Sequence, residues 1–344
     1  MNKRAISLCL ILVLMLGGCG QTEKNVTDDT IETEDKIQIG MSFDSFVIER
    51  WQRDRDVFVS TAREKGAEVN VQNANGDIEE QKAQIEYFIQ KKMDVIVVIC
   101  IDANGLQDVI GKAKSAGIKV ISYDRLIADS DVDLYISFDN EKVGMMMGQA
   151  LIREGLPNNS VLMLCGPTTD HNVALVEKGF RSIMDQNSVN IVDVMYAEGW
   201  RAELASDYIY NHTDILGKVD GIMCGNDSLA TQTIRALAEK RQAGKIKVVG
   251  QDADLEGCQR IVEGTQVMTV YKPVEKLAQT AAEYAIKMAK GEDLGTEETV
   301  SDGTYDVPAV VLEPVAVNKD NMDEVIIDSG YHLREDVYLN VPAG

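Results

Sequence analysis

Asp44, Asp124-Arg125, Asp139-Asn140, Asp170-His171-Asn172, Trp200, Asn226-Asp227, Asp252 and Lys272 share one feature: each stands just past a short apolar or β-branched run. Their side chains suit one kind of chemistry. A carboxylate accepts from two neighbouring hydroxyls at once, an arginine donates a planar fork, and an amide offers both a donor and an acceptor. The vicinal hydroxyls of a pyranose need all three. Its C–H faces lie well against aromatic walls, for which Trp51 and Trp200 are the candidates.

The same residue types also have structural uses. Asp and Asn at a strand-to-helix turn often cap the helix. Asp227, followed by Ser228-Leu-Ala-Thr, reads as a cap as readily as a contact, and Asp77 after Gly76 reads as a cap alone. Asp139 fits a hinge or a cap, Asp44 at a loop start divides evenly between ligand contact and a structural use, and Trp51 taken alone reads as core.

Other chemistries find little support. The sequence carries no nucleophile elbow, P-loop or zinc-ligand spacing. Paired carboxylates hydrolyse glycosides in some enzymes. Here Arg125 and Lys272 would hold them ionised as acceptors, so no catalysis and no cofactor are expected. His171 has no second metal-like ligand beside it. The alternation Asp129-Ser-Asp131-Val-Asp133 lacks the central Gly and terminal Glu of an EF-hand, so no metal is expected either.

The elements that would position these residues alternate along the chain. β-branched runs at 37–43, 67–72, 95–99 and 118–123 are separated by helical patterns at 78–93 and 106–116, with Ile78, Ile85, Phe88 and Ile89 on one face of the first. After Tyr135-Ile-Ser-Phe-Asp139 a second series begins, with strands at 161–164, 191–195, 221–224, 246–250 and 267–270 and a long helix near 274–290. The tail turns extended again at 307–312 and 315–317. Strand and helix in this rhythm mean βαβ units and parallel sheets, which bind ligands beyond their carboxyl ends. The expected fold is α/β, two doubly wound Rossmann-like lobes joined by a three-strand hinge. A length of 344 residues agrees with two cores.

The N-terminus reads as an export signal. Lys3 and Arg4 precede a nearly continuous apolar stretch at 5–16, too short to span a bilayer, and Leu16-Gly17-Gly18-Cys19 follows. That ending resembles a bacterial lipobox with Cys19 as the lipidated residue, so residues 1–18 are expected to be a signal peptide and 19–35 a polar tether. The chain would then sit outside the cytoplasm, anchored to the cell membrane. A net charge of −22 argues against nucleic acid, as does the absence of a helix-turn-helix before the first lobe. Cys100, Cys165, Cys224 and Cys258 lie in or near apolar segments, show no CxxC pair, and are expected as free buried thiols.

Several longer strings carry a family resemblance: 49–55 (ERWQRDR), Tyr123-Asp-Arg125, 135–144 (YISFDNEKVG), 250–254 (GQDAD) and 264–273 (GTQVMTVYKP). They resemble the D-xylose-binding branch of the ribose/galactose-type periplasmic binding proteins, fold type I, from about Lys36 onward. The resemblance implies first-lobe contacts from Arg50 and Trp51 and a gripping pair in Asp124 and Arg125. It further implies second-lobe contacts from Asn172 and Trp200, and remaining polar contacts from Asn226, Asp252 and Lys272. The loop at Asn172 departs most from the pattern, with His171 in place of a smaller polar residue.

The resemblance also implies lobes 36–138 plus 273–304 and 139–272 plus 305–344, with hinges near Phe138, Lys272 and Thr304. The implied ligand is D-xylose or a related monosaccharide. The implied partner is the permease of a sugar ABC importer or, alternatively, the ectodomain of a membrane histidine kinase.

Overall fold

A computed structural model describes residues 36–341. The expected signal peptide, the tether and Cys19 lie outside the described residues. The first series is β1 (Ile37–Phe43), α1 (Arg50–Glu64), β2 (Ala67–Asn73), α2 (Ile78–Gln90), β3 (Val95–Val98), α3 (Gln107–Ser115), β4 (Lys119–Tyr123) and β5 (Leu134–Phe138). The second is α4 (Asn140–Glu154), β6 (Ser160–Cys165), α5 (His171–Gln186), β7 (Asn190–Tyr196), α6 (Glu203–Asn211), β8 (Gly221–Cys224), α7 (Asp227–Glu239), β9 (Lys247–Gln251), α8 (Leu255–Glu263) and β10 (Met268–Tyr271). The chain ends with α9 (Val274–Ala289), β11 (Thr299–Ser301), β12 (Asp306–Leu312), β13 (Val315–Val317) and α10 (Arg334–Val337).

Two sheets result, ordered β11-β12-β5-β4-β3-β1-β2 and β13-β10-β9-β8-β6-β7. The central strands are parallel and wholly buried, as continuous apolar runs such as Val95–Val98 require. Each sheet also carries one antiparallel edge strand, β11 on β12 and β13 on β10. The fold is therefore two α/β lobes with mixed, mostly parallel sheets.

The chain crosses between lobes after β5, after β10, and between β12 and β13. The third crossing differs from the expectation of a hinge near Thr304. Residues 302–305 are instead the turn of the β11–β12 hairpin, where the Asp302 carboxylate accepts from the amides of Thr304 (3.0 Å) and Tyr305 (2.7 Å). So short a connection can only return the chain antiparallel to itself. β12 then pairs with β5, and the crossing falls at Glu313-Pro314.

Backbone contact fixes how the second lobe presents its site. α4 and α5 cross so closely that a Cβ at Gly144 would meet the Val176 carbonyl, and one at Gly179 the Glu141 carbonyl, each at 1.9 Å. α5 begins at His171, so this crossing sets the height at which Asp170 and Asn172 project. Gly179→Ala cannot be absorbed by a side-chain rotation. It is expected to cost at least about 1–3 kcal/mol, read as a lower urea midpoint at unchanged slope; an unaltered midpoint would refute the close crossing.

Candidate functional site

The carboxyl ends of both sheets face one cavity. Its wall includes Ile48, Arg50, Trp51, Asp124 and Arg125 from the first lobe and Asp170, Asn172, Val173, Val176, Trp200, Met223 and Asp252 from the second, with Lys272 at the crossing after β10. The space not filled by atoms is about 460 Å³, partly open to solvent.

Three cations are buried here, each with carboxylates. Arg50 donates through Nε and Nη2 to Asp54 (3.2 and 3.0 Å), one turn along α1, and its Nη1 lies 2.9 Å from Asp124 Oδ2. Arg125 donates through Nη1 to Asp44 (2.7 Å) and the Cys100 carbonyl (3.1 Å), and its Nε lies 2.7 Å from Asp170 Oδ2. Lys272 Nζ is 3.3 Å from Asp252 Oδ1. At Asp124 burial is outweighed by Arg50, Lys272 and Arg125, which hold the carboxyl below its ordinary value. It stays ionised. Burial raises Asp44, where Arg125 offsets it only in part.

Several polar atoms on this wall have no hydrogen-bond partner among the described residues. The acceptors are Asp124 Oδ2, Asn172 Oδ1, Gln251 Oε1 and Asp252 Oδ1; the donors are Trp51 Nε1 and Arg125 Nη2. The ion pairs of Asp124 and Asp252 lack hydrogen-bond geometry, so both oxygens keep an acceptor position free. Buried polar groups are costly when unpaired. Six of them converging on one cavity form a receptacle for a compact molecule rich in both donors and acceptors.

Local backbone aims these groups. Asp124, Trp200 and Asp252 all adopt left-handed φ values of 62°, 58° and 93°. At Asp124 the Arg125 amide reaches back to the Tyr123 carbonyl at 2.7 Å, a tight turn that throws the carboxylate inward. Such conformations cost about 1–3 kcal/mol each and persist only where surroundings enforce them. Trp200 lies over bare backbone: a Cβ at Gly166 would sit 2.3 Å from its ring, and one at Gly225 3.2 Å. Its Nε1 donates to Asp170 Oδ2 at 3.2 Å.

Of the residues the sequence singles out, Arg50, Trp51, Asp124, Arg125, Asn172, Trp200, Asp252 and Lys272 meet at the cavity. Asn226 does not join the wall. Its Oδ1 accepts from Leu229 N (2.9 Å) and caps α7, the role the sequence had left open for Asp227. Asp139 caps α4, Asp77 caps α2, and Asp44 supports Arg125 from behind. Trp51 is both core and wall: it is buried against Phe43, with the Arg50 guanidinium 4.5 Å from its ring. His171 starts α5, and burial lowers its pKa. The four cysteines are free and buried.

Asp54 and Gln251 were not singled out as site residues, and Asp170, named only for its place after a strand, was given no contact of its own. Asp54 had a signal available, its i,i+4 spacing from Arg50, but that pattern is also common on exposed helix faces.

Behind Asp252 lies a further carboxyl. Asp227 accepts from Gln266 Nε2 (2.8 Å), Thr269 Oγ1 (2.7 Å) and the Asp254 amide (3.1 Å). Burial, aided by the charge on Asp252, nevertheless raises it to about 8. A carboxyl raised in the native state holds a proton that the unfolded chain, at about 3.9, has already released. Stability is thus expected to fall as pH rises above about 4, until the folded protein too gives up the proton. Asp254 beside it is equally buried and is raised as well, so Asp227→Asn and Asp254→Asn together should flatten that decline in urea unfolding; a slope unchanged by the double substitution would mean that neither carboxyl holds a proton in the folded protein.

Comparison with known proteins places this geometry. Residues 39–293 match the periplasmic binding protein domain family. The chain is 41% identical to the D-xylose-binding periplasmic protein of Haemophilus influenzae over 307 residues, 88% of this chain and 92% of that one. It is 40% identical to the protein of the same name from Escherichia coli, covering 88% and 93%. Among solved structures, an ABC transporter solute-binding protein from Clostridium phytofermentans with bound β-D-glucose superposes with a TM-score of 0.79 at 27% identity, over 87% of this chain and 99% of that one. A carbohydrate transporter solute-binding protein from Chloroflexus aurantiacus in complex with D-glucose gives 0.80 at 25%, over 87% and 98%.

Proposed function

The chain belongs to the periplasmic binding protein domain family, and from that premise we propose that it is an extracytoplasmic receptor which closes two lobes on D-xylose and delivers it to a sugar ABC importer. The observation that carries the reading is the set of six buried polar atoms on one cavity wall that have no hydrogen-bond partner among the described residues, two of them carboxylate oxygens held only in ion pairs. A ring hydroxyl donates one hydrogen bond and accepts up to two. Asp124, Asn172, Gln251 and Asp252 supply the acceptors and Trp51, Arg125 and Lys272 the donors, while Trp51 and Trp200 flank the apolar faces. The names of the two relatives above 40% or at it favour xylose as the ring.

Binding couples to closure because the wall belongs to both lobes. A ligand bonded to Asp124 and Arg125 on one side and to Asn172 and Asp252 on the other makes its full set of contacts only when the lobes meet, and that difference shifts the population. The sensor alternative is not favoured, since the solved neighbours are transporter solute-binding proteins. The receptor is expected to release its sugar unchanged, with Asp124 held ionised as an acceptor by Arg50.

Titration calorimetry with D-xylose, D-ribose, L-arabinose and D-glucose tests this directly. One-to-one binding with xylose preferred is expected. Asp124→Asn should weaken it about 10- to 100-fold, the worth of one charge-assisted bond, and the sugar recovered from the complex should be intact. Binding of another of these sugars alone would move the ligand; no heat with any would sink the sugar reading.

The Leu16-Gly17-Gly18-Cys19 sequence supports a lipid anchor at Cys19. Cys19→Ser is expected to shift the protein from the membrane fraction to the soluble extracytoplasmic fraction, and membrane retention by that variant would exclude the anchor.

A further inference from the structure

Asp252 and Ala253 are consecutive left-handed residues, with φ of 93° and 54°, and neither is glycine. All four backbone polar groups of this pair are held. The amides are tied to β10 and its side chains: Asp252 N donates to the Val270 carbonyl (2.8 Å) and Ala253 N to Thr269 Oγ1 (3.1 Å). The carbonyls are tied to the C-terminal segment. Tyr331 OH donates to Asp252 O at 3.4 Å, and His332 Nε2 lies 2.8 Å from Ala253 O. A carbonyl only accepts, so Nε2 carries the hydrogen.

Tyr331 is fixed in turn. Its ring packs 4.7 Å from Tyr271, beside the crossing that carries Lys272. The Arg53 guanidinium stands 4.2 Å from the ring and donates through Nη2 to the Tyr331 carbonyl (2.8 Å), while Nη1 donates to Glu275 (2.8 Å). Arg53 lies on α1 of the opposite lobe, three residues past Arg50. Arg53, Tyr331 and His332 do not line the cavity.

We propose that the C-terminal strap, through Tyr331 and His332, is the positioning device that holds Asp252 in its cavity-facing conformation, so that sugar affinity is set partly by residues that never touch the sugar. This rests on the sugar-receptor reading above. Without the two carbonyl clamps, only the weak Cys258 Sγ contact to the Ala253 carbonyl (3.6 Å) remains on that side, and the pair can relax to an ordinary extended or helical φ, which would turn the carboxylate away from Lys272. A purely structural role is the alternative, because Tyr331 also belongs to the apolar cluster with Val317, Met322, Ile326 and Val337.

The test compares His332→Ala, which removes the donor, with His332→Gln, which restores an N–H, in the wild-type and Asp252→Asn backgrounds. His332→Ala should raise the D-xylose Kd about tenfold and His332→Gln less than about threefold. In the Asp252→Asn background the His332→Ala penalty should shrink below about twofold, since coupled residues are not additive. Tyr331→Phe should act in the same direction as His332→Ala. A penalty of equal size in both backgrounds, or a lowered melting temperature at unchanged Kd, would overturn the proposal. The Asp252 and Ala253 amide NMR signals of sugar-free protein give a readout independent of the ligand: they should move in His332→Ala and return in His332→Gln. Wild-type protein that binds no xylose would count against the sugar reading, while unmoved amide signals would count against the strap.

Discussion

A buried charge must be paired, and the space between the lobes holds three of them. Arg50, Arg125 and Lys272 are almost wholly excluded from water. Desolvating each ion costs several kcal/mol, which attraction offsets only with good geometry and further hydrogen bonds. Asp54 and Asp44 meet this demand from within the first lobe, and Asp170 meets it from across the cleft. The arrangement is a poor choice for stability alone, since apolar replacements of similar volume often hold a core as well. What an apolar core lacks is oriented, unfilled bonding positions.

The carboxylates divide into two kinds by what they are spent on. Asp54 gives two hydrogen-bonding positions to Arg50 and faces away from the cavity, and Asp44 stands behind Arg125. Asp124 and Asp252 meet their cations without hydrogen-bond geometry, so their outward oxygens remain available. The first kind keeps the cations in place so that the second kind need not. Backbone strain follows the same division: Asp124 and Asp252 sit in left-handed conformations, whereas Asp44 and Asp54 do not.

Much of this was legible in the sequence because a doubly wound sheet converts chain position into place. A polar residue directly after a buried strand has to lie at the carboxyl edge, which located Asp124, Arg125, Asp252 and Lys272. Direction was not legible. Asn226 and Asp227 differ by one position, and that single step decides between a cap, a wall and a buried network. Gln251 was hidden for another reason, lying at the end of β9, inside a regular element where nothing local distinguishes a side chain that turns toward the cleft. The third crossing was misread because an extended tail does not reveal which sheet it joins; only the Asp302 turn, which forces a hairpin, keeps 306–312 in the first lobe.

Under the receptor reading, Asp170 Oδ2 joins closure to recognition. This single oxygen, from the second lobe, lies 2.7 Å from Arg125 Nε of the first and accepts from Trp200 Nε1 of its own lobe at 3.2 Å. Asn172, two residues on, donates across the cleft to both the carbonyl (3.1 Å) and the carboxylate (2.9 Å) of Asp124. When the lobes part, these bonds are exchanged for water at little net cost, because exposed polar groups are solvated. When the lobes meet without a partner for the unfilled atoms, the cleft keeps the attraction but bears the penalty of stranded donors and acceptors. Only a molecule that fills those positions removes the penalty, so under the receptor reading the ligand acts chiefly by completing a wall that the closed protein leaves unfinished.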